Sequence, residues 1–65
     1  MRNFIIKYQG HLSSEIYGYT ITTNDTLKIK ARNSVTAKNK FFKKIKYKTD
    51  ILGWDFYILS IFEEV

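Results

Sequence analysis

The sequence has no cysteine, a single histidine and only three glycines among its 65 residues. Without cysteine there is neither a disulfide frame nor a thiolate metal site. One histidine, His11, with six scattered acids makes no metal-ligand cluster, and no cofactor is expected. Three glycines form neither a phosphate-cradling loop nor a dinucleotide pattern. No apolar run approaches the roughly 20 residues that span a bilayer, and no secretory signal pattern opens the sequence. A cytoplasmic protein without membrane attachment is expected. There is also no repeat, low-complexity tract or linker. A chain this short buries only roughly 60% of its unfolded surface, so one domain with a thin core is expected.

The most informative absence is of acid. Between Thr26 and Thr49 stand nine cations and no anion: Lys28, Lys30, Arg32, Lys38, Lys40, Lys43, Lys44, Lys46 and Lys48. The net charge of +5 is thus +9 in this middle stretch and −4 in the remainder. Such segregation acts on partners more than on the fold and points to an acidic target surface. Packing must come from apolar side chains or from self-association, and eleven aromatics suit that demand.

Alternation of Phe4, Ile6 and Tyr8 predicts a strand over 3–9. Turn residues from Gly10 to Ser14 predict a loop. Tyr17, Tyr19 and Ile21 alternate in a second strand, 15–23, and Asn24-Asp25 reads as a tight turn into a third, 26–32. There Leu27, Ile29 and Ala31 oppose Lys28, Lys30 and Arg32. Asn33 or Ser34 can cap a helix over 34–47, in which Ala37, Phe41 and Ile45 recur at i, i+4 and i+8. A last strand, 54–62, is apolar on both faces: Trp54, Phe56 and Ile58 on one, Tyr57, Leu59 and Ile61 on the other. That marks a central strand, or one whose second face meets a partner. The expected fold is α+β, a small, mostly antiparallel sheet with one helix on one face, in the order β-β-β-α-β. Its core should hold Phe4, Ile6, Leu27, Ile29, Ala37, Phe41, Ile45, Trp54, Phe56 and Ile58.

Catalysis is poorly supported. His11 has Ser13 and Ser14 nearby, but a loop on so small a domain cannot fix a nucleophile, a base and an orienting acid. A non-enzymatic binding protein is expected. Lys40, Lys43, Lys44 and Lys46 occupy the outer arc of the helix, either as a solvated face or as a binding face. Lys40 and Lys44 are a like-charge i, i+4 pair, a small cost where ordinary exposed helices mix signs. Lys28, Lys30 and Arg32 project from the third strand. Depending on register, some of Tyr17, Tyr19 and Tyr57 share their face, as in sheets that grip single-stranded nucleic acid by stacking and phosphate attraction; otherwise these tyrosines are core.

The segment Ile29-Lys30-Ala31-Arg32-Asn33-Ser34-Val35-Thr36-Ala37-Lys38, with Phe41 and then Trp54-Asp55-Phe56-Tyr57-Ile58, resembles a design found among tiny tailed-phage proteins. In these a strand ends in Ala, a Ser/Asn-capped helix follows, and an aromatic-rich strand closes the unit. Several phage inhibitors of host RNA polymerase and several anti-CRISPR proteins have that shape. The resemblance covers the C-terminal half and carries no site residues. It implies a non-catalytic protein that inhibits a host nucleic-acid-handling complex by steric occlusion, docking on an acidic surface of a host protein or ribonucleoprotein. Direct binding of DNA or RNA is the alternative. The third is a homodimeric assembly factor, joined through an exposed sheet edge or the second face of the last strand.

Overall fold

The alternation of Phe4, Ile6 and Tyr8 does form a strand, and it runs well past its predicted end. The computed structural model describes residues 1–65 as β1 (Arg2–Ser14), β2 (Tyr19–Ala31), α1 (Ser34–Asp50) and β3 (Asp55–Glu63). β1 lies at the centre, antiparallel to both neighbours, in the order β2-β1-β3. β2 and β3 are therefore parallel to each other, and α1 crosses between them over one face of the sheet. The fold is α+β with one helix on a small antiparallel sheet, as expected, but in the order β-β-α-β.

The missing strand boundary comes from pairing with β1. Asn24 and Asp25 do not turn the chain; they sit in the ladder opposite Gln9 and Tyr8. Their turn preference yields because Gly10–Ser14, expected as a loop, is extended and gives Tyr19–Thr23, the residues just before them in β2, backbone partners. Reversal occurs instead at residues 15–18. Gly18 takes a positive φ of 66° there, open to glycine at little cost, and its N–H donates to the Ser14 carbonyl oxygen at 2.8 Å. Tyr17 thus belongs to a turn and not to a strand.

Asn33, not Ser34, caps the helix. Its side-chain oxygen accepts from the Thr36 N–H at 2.9 Å while its own backbone stays extended. α1 runs to Asp50, three residues beyond the expected end. Ala37, Phe41 and Ile45 are the buried helical positions, as their spacing predicts. They meet Phe4 and Ile6 of β1 and Ile29 and Ala31 of β2 in one core. Tyr8, Leu27, Phe56, Ile58 and Ile61 are half-buried around it. Leu27, Trp54, Phe56 and Ile58 are thus less enclosed than the sequence suggested, because a single helix cannot roof a whole three-stranded sheet.

β3 corrects the largest expectation. It is not central: it pairs with β1 alone and leaves its outer edge free. Its register also slips, with Lys7 opposite Ser60 but Tyr8 opposite Ile58, so Leu59 has no partner. This β-bulge shifts the alternation by one residue. Phe56, Ile58 and Ile61 face the helix with Gly10, Tyr8 and Ile6; Tyr57, Ser60 and Phe62 face away with Gln9, Lys7 and Ile5. The expected grouping of Tyr57, Leu59 and Ile61 on one face is broken.

The molecule is long, 44 × 18 × 13 Å. Thirteen-residue strands reach about 43 Å at about 3.3 Å per residue, whereas seventeen helical residues reach only about 26 Å. The tip of the β1–β2 hairpin therefore projects beyond the helix. No helix is long and apolar enough to cross a membrane.

Candidate binding surface

The sheet face turned away from α1 is built in rows across β2, β1 and β3. Successive rows read Lys30 and Asn3; Lys28, Ile5 and Phe62; Thr26, Lys7 and Ser60; Asn24, Gln9 and Tyr57; and Thr22, His11 and Asp55. At its β3 side two aromatics stand in solvent, Tyr57 at 57% and Phe62 at 47% exposure. Ile5 between Lys28 and Phe62 is half-buried. The Lys7 ammonium sits 5.9 Å from the Phe62 ring centre, a cation–π contact. Lys28 Nζ lies 2.7 Å from Glu64 Oε1. Both side chains are about half exposed, so the pair orients more than it stabilises.

His11 belongs to this face too, inside β1 and not in a loop. Thr22 Oγ1 lies 3.2 Å from its Nδ1 and Gln9 Oε1 lies 2.8 Å from its Nε2. Its ring meets Tyr57 edge-on, with centroids 5.4 Å apart. Both ring nitrogens are engaged, and Ser13 and Ser14 are not among their partners. These contacts make the lower half of the face a fixed polar network. No three of its His, Asp and Glu residues gather as metal ligands would.

Of the ten residues singled out in the sequence, Lys28, Lys30 and Tyr57 share this face. Arg32 lies just past the end of β2, exposed. Lys40 donates from Nζ to the Lys30 carbonyl oxygen at 2.8 Å, tying the helix to the β2 edge. Lys43, Lys44 and Lys46 are exposed on α1, on the side of the molecule opposite Lys28 and Lys30, and none has an ion-pair partner. The nine-cation stretch is therefore divided between two faces. Tyr17 and Tyr19 stack at 6.4 Å on the hairpin tip, remote from every one of these lysines. Nine residues of strand, about 30 Å, separate Tyr19 from Lys28. Tyr19 also has the parity of Ile29, the helix side.

Lys7, Ile5 and Phe62 were not singled out. Lys7 and Ile5 were legible, since a strand that buries Phe4, Ile6 and Tyr8 must turn Ile5, Lys7 and Gln9 outward. Phe62 was not, because only the bulge brings it to the Tyr57 face. No family model, curated protein or solved structure matches this chain.

Proposed function

We propose that this protein is a non-catalytic inhibitor that covers an acidic surface of a nucleic-acid-handling complex with the open face of its sheet. The observation carrying this reading is the patch of Ile5 and Phe62, with Tyr57 two rows away across Lys7 and Ser60, bordered by Lys28 and Lys30. An apolar, aromatic centre within a charged rim is the anatomy of a protein–protein interface. The rim cations would steer encounter with an acidic partner, and the aromatics would supply the desolvated contact. The resemblance of segment 29–58 to tailed-phage inhibitors supports a host complex, such as a CRISPR effector, as the target.

Direct binding of DNA or RNA is the second reading. Two exposed aromatics beside lysines also suit stacked bases. Against it, Tyr17 and Tyr19 do not extend the platform.

Capture from bacterial lysate, with and without nuclease, separates the two. The protein-target reading expects one nucleic-acid-handling complex retained after nuclease and lost with Phe62→Ala plus Lys28→Glu. Titration against that complex then saturates at a fixed molar ratio, without modified product. Capture abolished by nuclease assigns nucleic acid as the ligand, and inhibition with turnover overturns the non-catalytic reading.

A further inference from the structure

We infer that the free edge of β3 pairs with β3 of a second copy, antiparallel about a two-fold axis, to make a six-stranded sheet. Three observations carry this. An edge strand exposes unpaired N–H and C=O groups, and soluble proteins guard such edges with lysine or proline. β3 has neither, and its only charges are Asp55 and Glu63 at its ends. Between them only Ser60 interrupts an otherwise apolar strand, with Leu59 59% exposed at the bulge.

The second observation is symmetry. Around the bulge the sequence reads Tyr57-Ile58-Leu59-Ser60-Ile61-Phe62, an approximate palindrome. Without the bulge, residues equidistant from its centre would point to opposite faces of the sheet, because their spacing is odd. The bulge corrects the phase, leaving Tyr57 and Phe62 on the open face and Ile58 and Ile61 on the helix face. A two-fold axis between Leu59 and Ser60 then sets Ile58 against the second copy's Ile61, and Tyr57 against its Phe62. Like meets like on both faces, as an isologous interface requires. Cross-strand aromatic and β-branched pairs are the units that stabilise sheets.

The third observation is charge. Lys40, about 100° round α1 from Phe41, reaches β2, so Phe42, about 100° round the other way, overhangs the β3 side. Beside Phe42 runs a cleft of about 530 Å³ lined by Ile45, Lys43, Lys46 and Thr49, with Asp50 as its one acid. The two-fold places Glu63 of the second copy opposite Phe56, on the helix side, beneath that lysine-bearing flank. Glu63, held at 3.1 Å by Arg2 of its own chain, thus comes near the basic helix of the other copy. This works against the like-charge approach of Asp55 and Glu64 that the same axis creates. The inference does not depend on the proposed function. It sets two open faces side by side in one sheet, with two Tyr57–Phe62 pairs across the seam, one on each side of the Ser60 positions.

Sedimentation of the full chain across micromolar to millimolar concentrations should show a monomer–dimer equilibrium. Leu59→Lys, at an exposed position, should keep the circular dichroism spectrum and raise the dimer Kd by about tenfold or more. In a mixed-label sample, isotope-filtered NOEs should connect Ile58 methyl groups to Ile61 of the other copy. A monomer throughout, a dimer indifferent to Leu59→Lys, or filtered NOEs confined to the hairpin tip or open face would overturn the inference. Each result is read without any target complex, so it is independent of the inhibition assay.

Discussion

Gly10 of β1 lies directly under Phe56 of β3: a Cβ at Gly10 would stand 2.9 Å from Phe56 Cε1 and 2.9 Å from Thr23 Oγ1. Missing bulk in β1 lets the Phe56 ring lie over the sheet, edge-on to Tyr8 at 5.8 Å and stacked with Trp54 at 5.9 Å. Gly10→Ala should destabilise the protein by about 1–3 kcal/mol, the usual cost of overpacking. Urea unfolding checks it, and an unchanged midpoint would mean that Phe56 swings aside freely.

Phe41 is the largest fully buried side chain, and it packs against Tyr8 at 4.8 Å. Only seven hydrophobic residues are buried, so no neighbouring layer can collapse into the space it leaves. Phe41→Ala should cost about 3–5 kcal/mol, a large share of the stability of a small domain. Loss of the cooperative thermal transition is the expected result. A transition at the wild-type temperature would contradict the core described above.

The helix was legible because its signal is local: Asn33 supplies the cap, and Ala37, Phe41 and Ile45 recur on one face. The first half of β1 was legible through alternation. Asn24-Asp25 misled because turn chemistry is also local, whereas the ladder that overrides it joins residues such as Gln9 and Asn24, fifteen positions apart. Lys28 and Lys30 were placed correctly on the open face by parity alone. Phe62 could not be, since the bulge at Leu59 arises from pairing with β1 and leaves no mark in the strand's own composition.

Asn33 links β2 to α1, and its oxygen satisfies a backbone N–H that the first helical turn leaves free. Asn33→Ala should cost about 0.5–2 kcal/mol, and Asn33→Asp should recover most of it because aspartate caps equally well. No acid stands in the first turn, so the added charge also suits the helix dipole. Denaturation midpoints of the three proteins should rank wild type and Asn33→Asp together, above Asn33→Ala.

Tyr8 is the ionisable group whose environment points to a pH effect: burial, and secondarily the Asp25 carboxylate, raise its pKa above the usual 10.0. In the unfolded chain its phenol ionises near 10, while in the folded protein it still holds its proton. The unfolded state therefore binds fewer protons in that window, and stability falls as pH rises. Below pH 10 the contribution is fully present. It is lost as pH climbs from the unfolded pKa towards the folded one. Wild type should lose stability more steeply than Tyr8→Phe above pH 10; parallel curves would show that the phenol is unshifted.

Division of the cations between two faces makes charge reversal diagnostic. Lys28 and Lys30 project from the open face, whereas Lys43, Lys44 and Lys46 project from the far side of α1. At physiological ionic strength charges are screened over about 8 Å, so cations beyond a layer of protein act on a docked ligand weakly. Lys28→Glu with Lys30→Glu should slow association with the target markedly, and the effect should persist at physiological salt. Reversal of the three helix lysines should slow it at low salt only. Direct nucleic-acid binding predicts a different pattern: log affinity falls with log salt by about 0.9 per duplex phosphate neutralised, or about 0.7 on a single strand. Each reversal on the contacting face should then lower that slope by roughly one contact. Surface-plasmon-resonance rates at two ionic strengths distinguish these outcomes. Equal loss from both sets of reversals at physiological salt would mean that the ligand wraps both faces, which the sheet-face docking described above does not allow.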